Sequence, residues 1–159
     1  MNKPGSLREH FLRLIPELKH NPDRLMIFID NGTLRSTVAH GLSFEYSYTL
    51  NIILTDYAGH PDAVAIPLFA WVQVNQRELM ENLVRGKEAI GFEADVLDNS
   101  KVDLSIKLPL TERVVVKTLE DGSLSVDHPA EPVVDLDPFT LRSLELYLKG
   151  ELLATWGGI

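Results

Sequence analysis

The sequence predicts an α+β fold: a mostly antiparallel or mixed β-sheet, two to three helices packed on one of its faces, and a C-terminal arm. Three observations carry that reading. In Gly41 to Asp56, Leu42, Phe44, Tyr46, Tyr48, Leu50, Ile52 and Leu54 project from one side of an extended chain, and Ser43, Glu45, Ser47, Thr49, Asn51, Ile53 and Thr55 line the other. Period-two alternation marks a strand with one buried and one wetter face, and this one runs well past the ~5–6 residues of an ordinary strand. Two further segments, starting near Ser6 and Asp62, space their apolar residues as a helix does. A third pattern, Ile90 to Leu97 followed by alternating Val102, Leu104, Ile106 and Leu108, reads as two strands joined at Asp98-Asn99-Ser100.

Taken in order, Ser6 is placed to cap the first helix with Glu9 three residues on, and Leu7, Phe11, Leu14, Ile15 and Leu18 share its apolar face. Pro16 predicts a kink or an end near Ile15. After the Asn21-Pro22-Asp23 turn, Leu25 to Asp30 is a strand. Asn31-Gly32 then predicts a two-residue hairpin turn, with Thr33 to Ala39 returning antiparallel. The long strand follows and breaks at Gly59-His60-Pro61-Asp62. Asp62 is placed to cap a helix through Val74 with Val64, Leu68, Trp71 and Val72 as its stripe, despite Pro67. A short helix over Asn75 to Glu81, ended by Arg85-Gly86, leads to the 90–108 hairpin. Pro109 is expected to end ladder pairing there, Glu112 to Thr118 to form another strand, and Glu120-Asp121-Gly122 to turn it into Leu124 to Val126.

With 159 residues, 45% of them hydrophobic, and a formal charge of −8, the chain suits one soluble acidic domain plus an appendage. Lys and Arg are scattered singly, so direct nucleic-acid binding has no electrostatic footprint. Without cysteine there is no disulfide or thiolate chemistry. The opening MNKPGSLREH lacks the apolar core of a signal peptide, and no apolar run reaches the ~18–20 residues that span a bilayer, so no membrane role and a cytoplasmic location are expected.

Catalytic and metal motifs do not emerge. His10, His20, His40, His60 and His128 lack ligand spacing and read as surface histidines. Asp95, Asp98 and Asp103 read as solvated residues around a turn rather than a cation site. Ser43 and Ser47 lie outside any nucleophile elbow, and Gly86-Lys87-Glu88 lacks the flanking residues of a phosphate loop. Trp71 reads as core. No catalytic, cofactor-binding or metal residue is assigned, and no cofactor is expected.

The stretches MNKPGSLREHF, NPDRLMIFIDNG, LSFEYSYTLNIILTD and VDLSIKLPLTERVVV, in that order, closely resemble the tail completion protein R family of contractile-tailed temperate phages. The resemblance covers about Met1 to Val126. It implies a structural job: binding the head-proximal end of a finished tail tube, stopping its polymerisation, and presenting a surface to head connector proteins. It also implies a ring of copies, commonly hexameric, without catalytic residues, assembled in the host cytoplasm and carried in the virion tail. The competing reading of the residues is a non-catalytic α+β binding or adaptor module, with an enzyme of unassigned chemistry third.

Residues 1–126 are expected to form the tail-terminator-like domain. Residues 127–138, with three prolines and acids without a base, read as a linker, and 139–159 as an arm, either a hairpin through Lys149-Gly150 or a short helix opened by Asp137-Pro138. An apolar arm on a polar linker invites a partner, so Leu146, Tyr147, Leu148 and Trp156 are the candidate contact residues.

Overall fold

A computed structural model describes residues 1–36, 41–81, 90–98, 100–132 and 144–156. Helix α1, Lys3–Leu14, buries Leu7, Phe11 and Leu14, one turn apart each time. It ends where Pro16 forces the preceding residue out of the helical region: Ile15 is extended, and α2, Pro16–His20, restarts with the proline at its first position. A 3₁₀ turn at Pro22–Arg24 leads into the sheet. Helix α3, Asp62–Asn75, buries Val64, Leu68, Trp71 and Val72 and runs through Pro67, and α4 is the single turn Glu78–Glu81.

The strands are β1 (Leu25–Ser36), β2 (Phe44–Tyr57), β3 (Gly91–Asp98), β4 (Lys101–Thr118) and β5 (Leu124–Asp127). They form one antiparallel sheet in the order β1-β2-β4-β3, with β5 also on β4. Register puts Ile29, Leu50 and Leu108 side by side, and Leu25, Leu54 and Leu104 likewise. The even-numbered residues of β2 and β4 therefore share one face, and on that face Tyr48, Leu50, Ile52, Leu54, Leu104, Leu108 and Leu110 are buried with Leu7, Phe11, Trp71 and Val72 of α1 and α3. The expected α+β class, with helices against one face, is the observed one.

Three local expectations give way. Asn31-Gly32 makes no hairpin turn: β1 continues through it as a bulge, with Asn31 at φ 52° and two residues set opposite Tyr48. The left-handed residue that a turn demands is equally what this kind of bulge demands. Pro109 likewise does not end pairing, because β4 is one strand of 18 residues in which Pro109 faces Thr49. Its neighbour two residues on explains the tolerance. The Thr111 N–H and C=O bond to Gln76 and Lys3 rather than to β2, so the nitrogen of Pro109, pointing the same way, has no bond to β2 to lose. The third is the cap of α1, which starts at Lys3, before Ser6; the Ser6 hydroxyl instead accepts the Trp71 indole N–H at 3.1 Å. At α3 the Asp62 N–H is taken by His60 Nδ1.

A second bulge separates Leu54 from Tyr57, with Asp56 at φ 53° and its N–H held by Asp103 Oδ1 at 2.7 Å. Farther on, β6 (Leu144–Leu148) and β7 (Glu151–Trp156) pair as a separate hairpin. Lys149 at φ 50° and Gly150 at φ 85° give the paired positive angles of a tight hairpin turn. His40, Thr33 to Ala39 beyond Ser36, Arg85-Gly86, Gly86-Lys87-Glu88, Asn99 and the linker beyond residue 132, with Asp137-Pro138, lie outside the described residues.

Candidate interaction surfaces

Between the stretches of β4 paired with β3 and with β5, side chains take up the backbone groups of Thr111. Lys3 Nζ donates to Thr111 O, Gln76 Oε1 and Glu131 Oε1, each at 2.7 Å. Gln76 Oε1 also takes the Thr111 N–H at 3.1 Å. Next to them Glu112 accepts the backbone N–H of Asn2 at 2.7 Å and of Lys3 at 3.4 Å, and the Tyr48 hydroxyl donates to the same carboxylate. Glu112 thus caps α1 from across the sheet. Lys3, Gln76 and Glu112 are all under one-tenth exposed, a burial that is tolerable because each polar group has partners. Burial pushes the Tyr48 phenol well above its ordinary pKa, and the adjacent Glu112 carboxylate adds to the rise. The network is engaged with itself and holds structure; it offers no free nucleophile or base.

His10 is more structural than the sequence implied. His10 is partly buried with its Nε2 bonded to Pro67 O at 2.9 Å, and desolvation holds its pKa below the usual value. Among the described residues no three His, Asp or Glu side chains gather as a metal site.

The candidate contact residues divide between two sides of the C-terminal hairpin. Leu146 and Ala154, a cross-strand pair, pack against Leu14, Ala63 and Ile66 of α1 and α3. Tyr147, with Leu152 opposite it, is exposed, as is Leu148. Tyr147 donates to Glu145 Oε2 at 2.8 Å. Trp156 ends β7 as the partner of Leu144.

Sequence reasoning missed a second set of exposed apolar residues, on the two edges of the main sheet. On β3, Phe92 and Val96 are 70% and 77% exposed although register places them on the helix-covered side. On β1, Met26 and Phe28 are about half exposed on the opposite face. The alternation of Phe92, Ala94 and Val96 was visible; that the helices stop short of β3 was not.

A sheet edged with exposed apolar residues, with a separate hairpin packed on its helices, directs attention to assembly, and the comparisons agree. Residues 1–132 match the family model described as P2 phage tail completion protein R. The chain belongs to that family. It is similar to the tail completion protein R of Escherichia phage P2, at 44% identity over 156 residues, covering 98% of this chain and 99% of the relative. That alignment necessarily extends well beyond Val126, so the likeness to a tail completion protein includes the hairpin region as well as the sheet. No solved structure matches the chain.

Proposed function

We propose that this protein completes the phage tail by capping the head-proximal end of the tail tube, stopping its polymerisation and preparing the end for the head connector. The observation that carries the reading is the near full-length similarity to a tail completion protein R. The work is mechanical. Copies form a ring, taken as a hexamer, on the tube end; the subunit contributes surfaces rather than a reaction, in the host cytoplasm first and then in the virion tail.

In this reading residues 1–126 are the body of the subunit, 127–138 a linker, and 139–159 an arm whose exposed side, with Tyr147 and Leu148, meets a neighbour or the tube. Leu146 keeps the arm seated on its own body. Exposed aromatic and aliphatic side chains on a paired strand suit an anchor of this kind. The test is decoration of isolated tail tubes with the purified full chain, imaged by negative-stain electron microscopy. Density at one end of each tube is expected. Binding along the tube wall, or none at all, sinks the proposal.

A further inference from the structure

We propose that neighbouring copies join edge to edge, β3 of one subunit pairing antiparallel with β1 of the next, so that the sheet continues around the assembly. This rests on the ring reading above and names the surfaces that make it.

Strand parity fixes which backbone groups lie on the outer edges of the described sheet. Successive residues of a strand point their N–H and C=O to opposite sides, so the outward bonds of Thr111 fix the sense for all of regular β4: odd residues face β3, even residues face β2. Lys107, Ser105 and Asp103 therefore bond Gly91, Glu93 and Asp95, which turns the amides of Phe92, Ala94 and Val96 out to what is, among the described residues, the edge of the sheet. The same count carried through β2 turns Leu25, Ile27 and Ile29 outward on β1. An independent contact agrees: the Leu25 carbonyl is taken by the Arg8 guanidinium at 2.8 Å rather than by β2.

Both edges thus combine outward amides with apolar side chains on the helix side. On β1, Ile27 and Ile29 are only partly buried against the core. On β3 the side chains of Phe92 and Val96 stand in solvent. Proteins that stay single guard such edges with charge, proline or a bulge, and residues 91–96 of β3 have none of these projecting with the apolar set.

Strand direction selects the partner. The path β1-β2-β4-β3 takes three antiparallel steps, an odd number, so β1 and β3 run opposite ways. A second copy placed beside the first by simple rotation brings its β1 antiparallel to β3, extending the existing pattern. That is a heterologous contact, the kind that closes rings. Self-pairing of either edge would use it up in a dimer and leave the other edge bare.

Charge favours the same arrangement. Asp95 and Asp103 are cross-strand partners of like sign, which repel, at the Val96 end of β3. Antiparallel pairing delivers that end to the Leu25 end of β1. There Arg8 is spent on the carbonyls of Leu25 and Pro22, with no carboxylate in salt-bridge reach among the described residues.

The chain has no cysteine, so introduced thiols report alone. Full-length protein carrying Ala94→Cys and Ile27→Cys together is treated with a short bis-maleimide and run on a denaturing gel. A ladder from dimer upward is expected for the double variant, and no higher than dimer for either single one. In sedimentation velocity, Val96→Lys, a change at an exposed position, should shift the assembled wild-type species to monomer without moving the melting temperature by more than about a degree. Association that survives Val96→Lys and gives no ladder overturns this pairing while leaving the ring. A chain that remains monomeric both alone and with tail tubes overturns the ring and the pairing with it.

Discussion

Glu112 and Asn2, 110 residues apart in sequence, meet at the start of α1, where the Glu112 carboxylate accepts the Asn2 N–H at 2.7 Å. The helix is thus positioned by the central strand that its apolar face covers. Tyr48 and the Lys3 amide share the same carboxylate.

Removing that carboxylate strands several buried donors together. Glu112→Ala is expected to cost about 3–5 kcal/mol, because three N–H and O–H donors lose their acceptor and an unsatisfied buried donor costs about 1–3 kcal/mol, and Tyr48→Phe about 1.5–3 kcal/mol for a hydrogen bond to a charged group. The double variant should cost less than the sum, since both act on one site. Urea unfolding of the three proteins measures this, and full additivity would show that the two side chains act separately.

The core can be tested face by face. Leu50, fully buried at the centre of the sheet, should cost about 2–5 kcal/mol when cut to Ala. Phe44 lies on the same face, but near the end of the sheet, half-buried and edge-on to Tyr46, so Phe44→Ala should cost distinctly less. Exposed Ser47, on the other face, should tolerate Ala within about 0.5 kcal/mol. Equal losses at Phe44 and Leu50 would contradict the end position of Phe44.

Those differences show what was legible in the chain. Alternation identified the long strand and its buried face, and helical spacing identified Leu7, Phe11, Val64 and Trp71, because burial by one neighbouring layer imposes a period. The amphipathic pattern is silent on where that layer stops. Hence Phe44 looked as buried as Leu50, and Phe92 and Val96 gave no sign of exposure. Asn31-Gly32 and Pro109 misled for a related reason: a bulge and a turn ask the same backbone of the chain, and a proline opposite Thr49 leaves the β2 ladder intact when its nitrogen points away from β2. Glu112 carried no local signal, its partners lying over a hundred residues away.

Alkaline pH should weaken the fold through Tyr57. Desolvation, with help from the Glu17 carboxylate, pushes its phenol up to about 12 from an ordinary value near 10. A group whose folded pKa is raised contributes stability that is fully present below the unfolded value and lost as pH climbs through the folded one. The melting temperature should therefore fall between pH 10 and pH 12, with Tyr48 acting in the same direction. Tyr57→Phe should flatten that fall. An unchanged slope in the variant would assign the loss to other groups.

Two truncations separate the linker from the arm. A chain ending at residue 132 keeps Glu131, the carboxylate on the nearly buried Lys3 ammonium at 2.7 Å; one ending at residue 126 loses it. The shorter chain should be less stable than the longer by about 1–3 kcal/mol. Both should stay folded and lose tail completion, since each lacks the hairpin. Equal stability of the two would show that Glu131 is incidental to the subunit.

The central claim, completion of the tail by capping its tube, is tested most directly by the length distribution of tails assembled without this chain, measured by electron microscopy. The expected result is tails that are overlong, or normal in length yet unable to join heads, with both defects repaired when the full chain is resupplied. Tails of normal length that join heads and infect in its absence would contradict it.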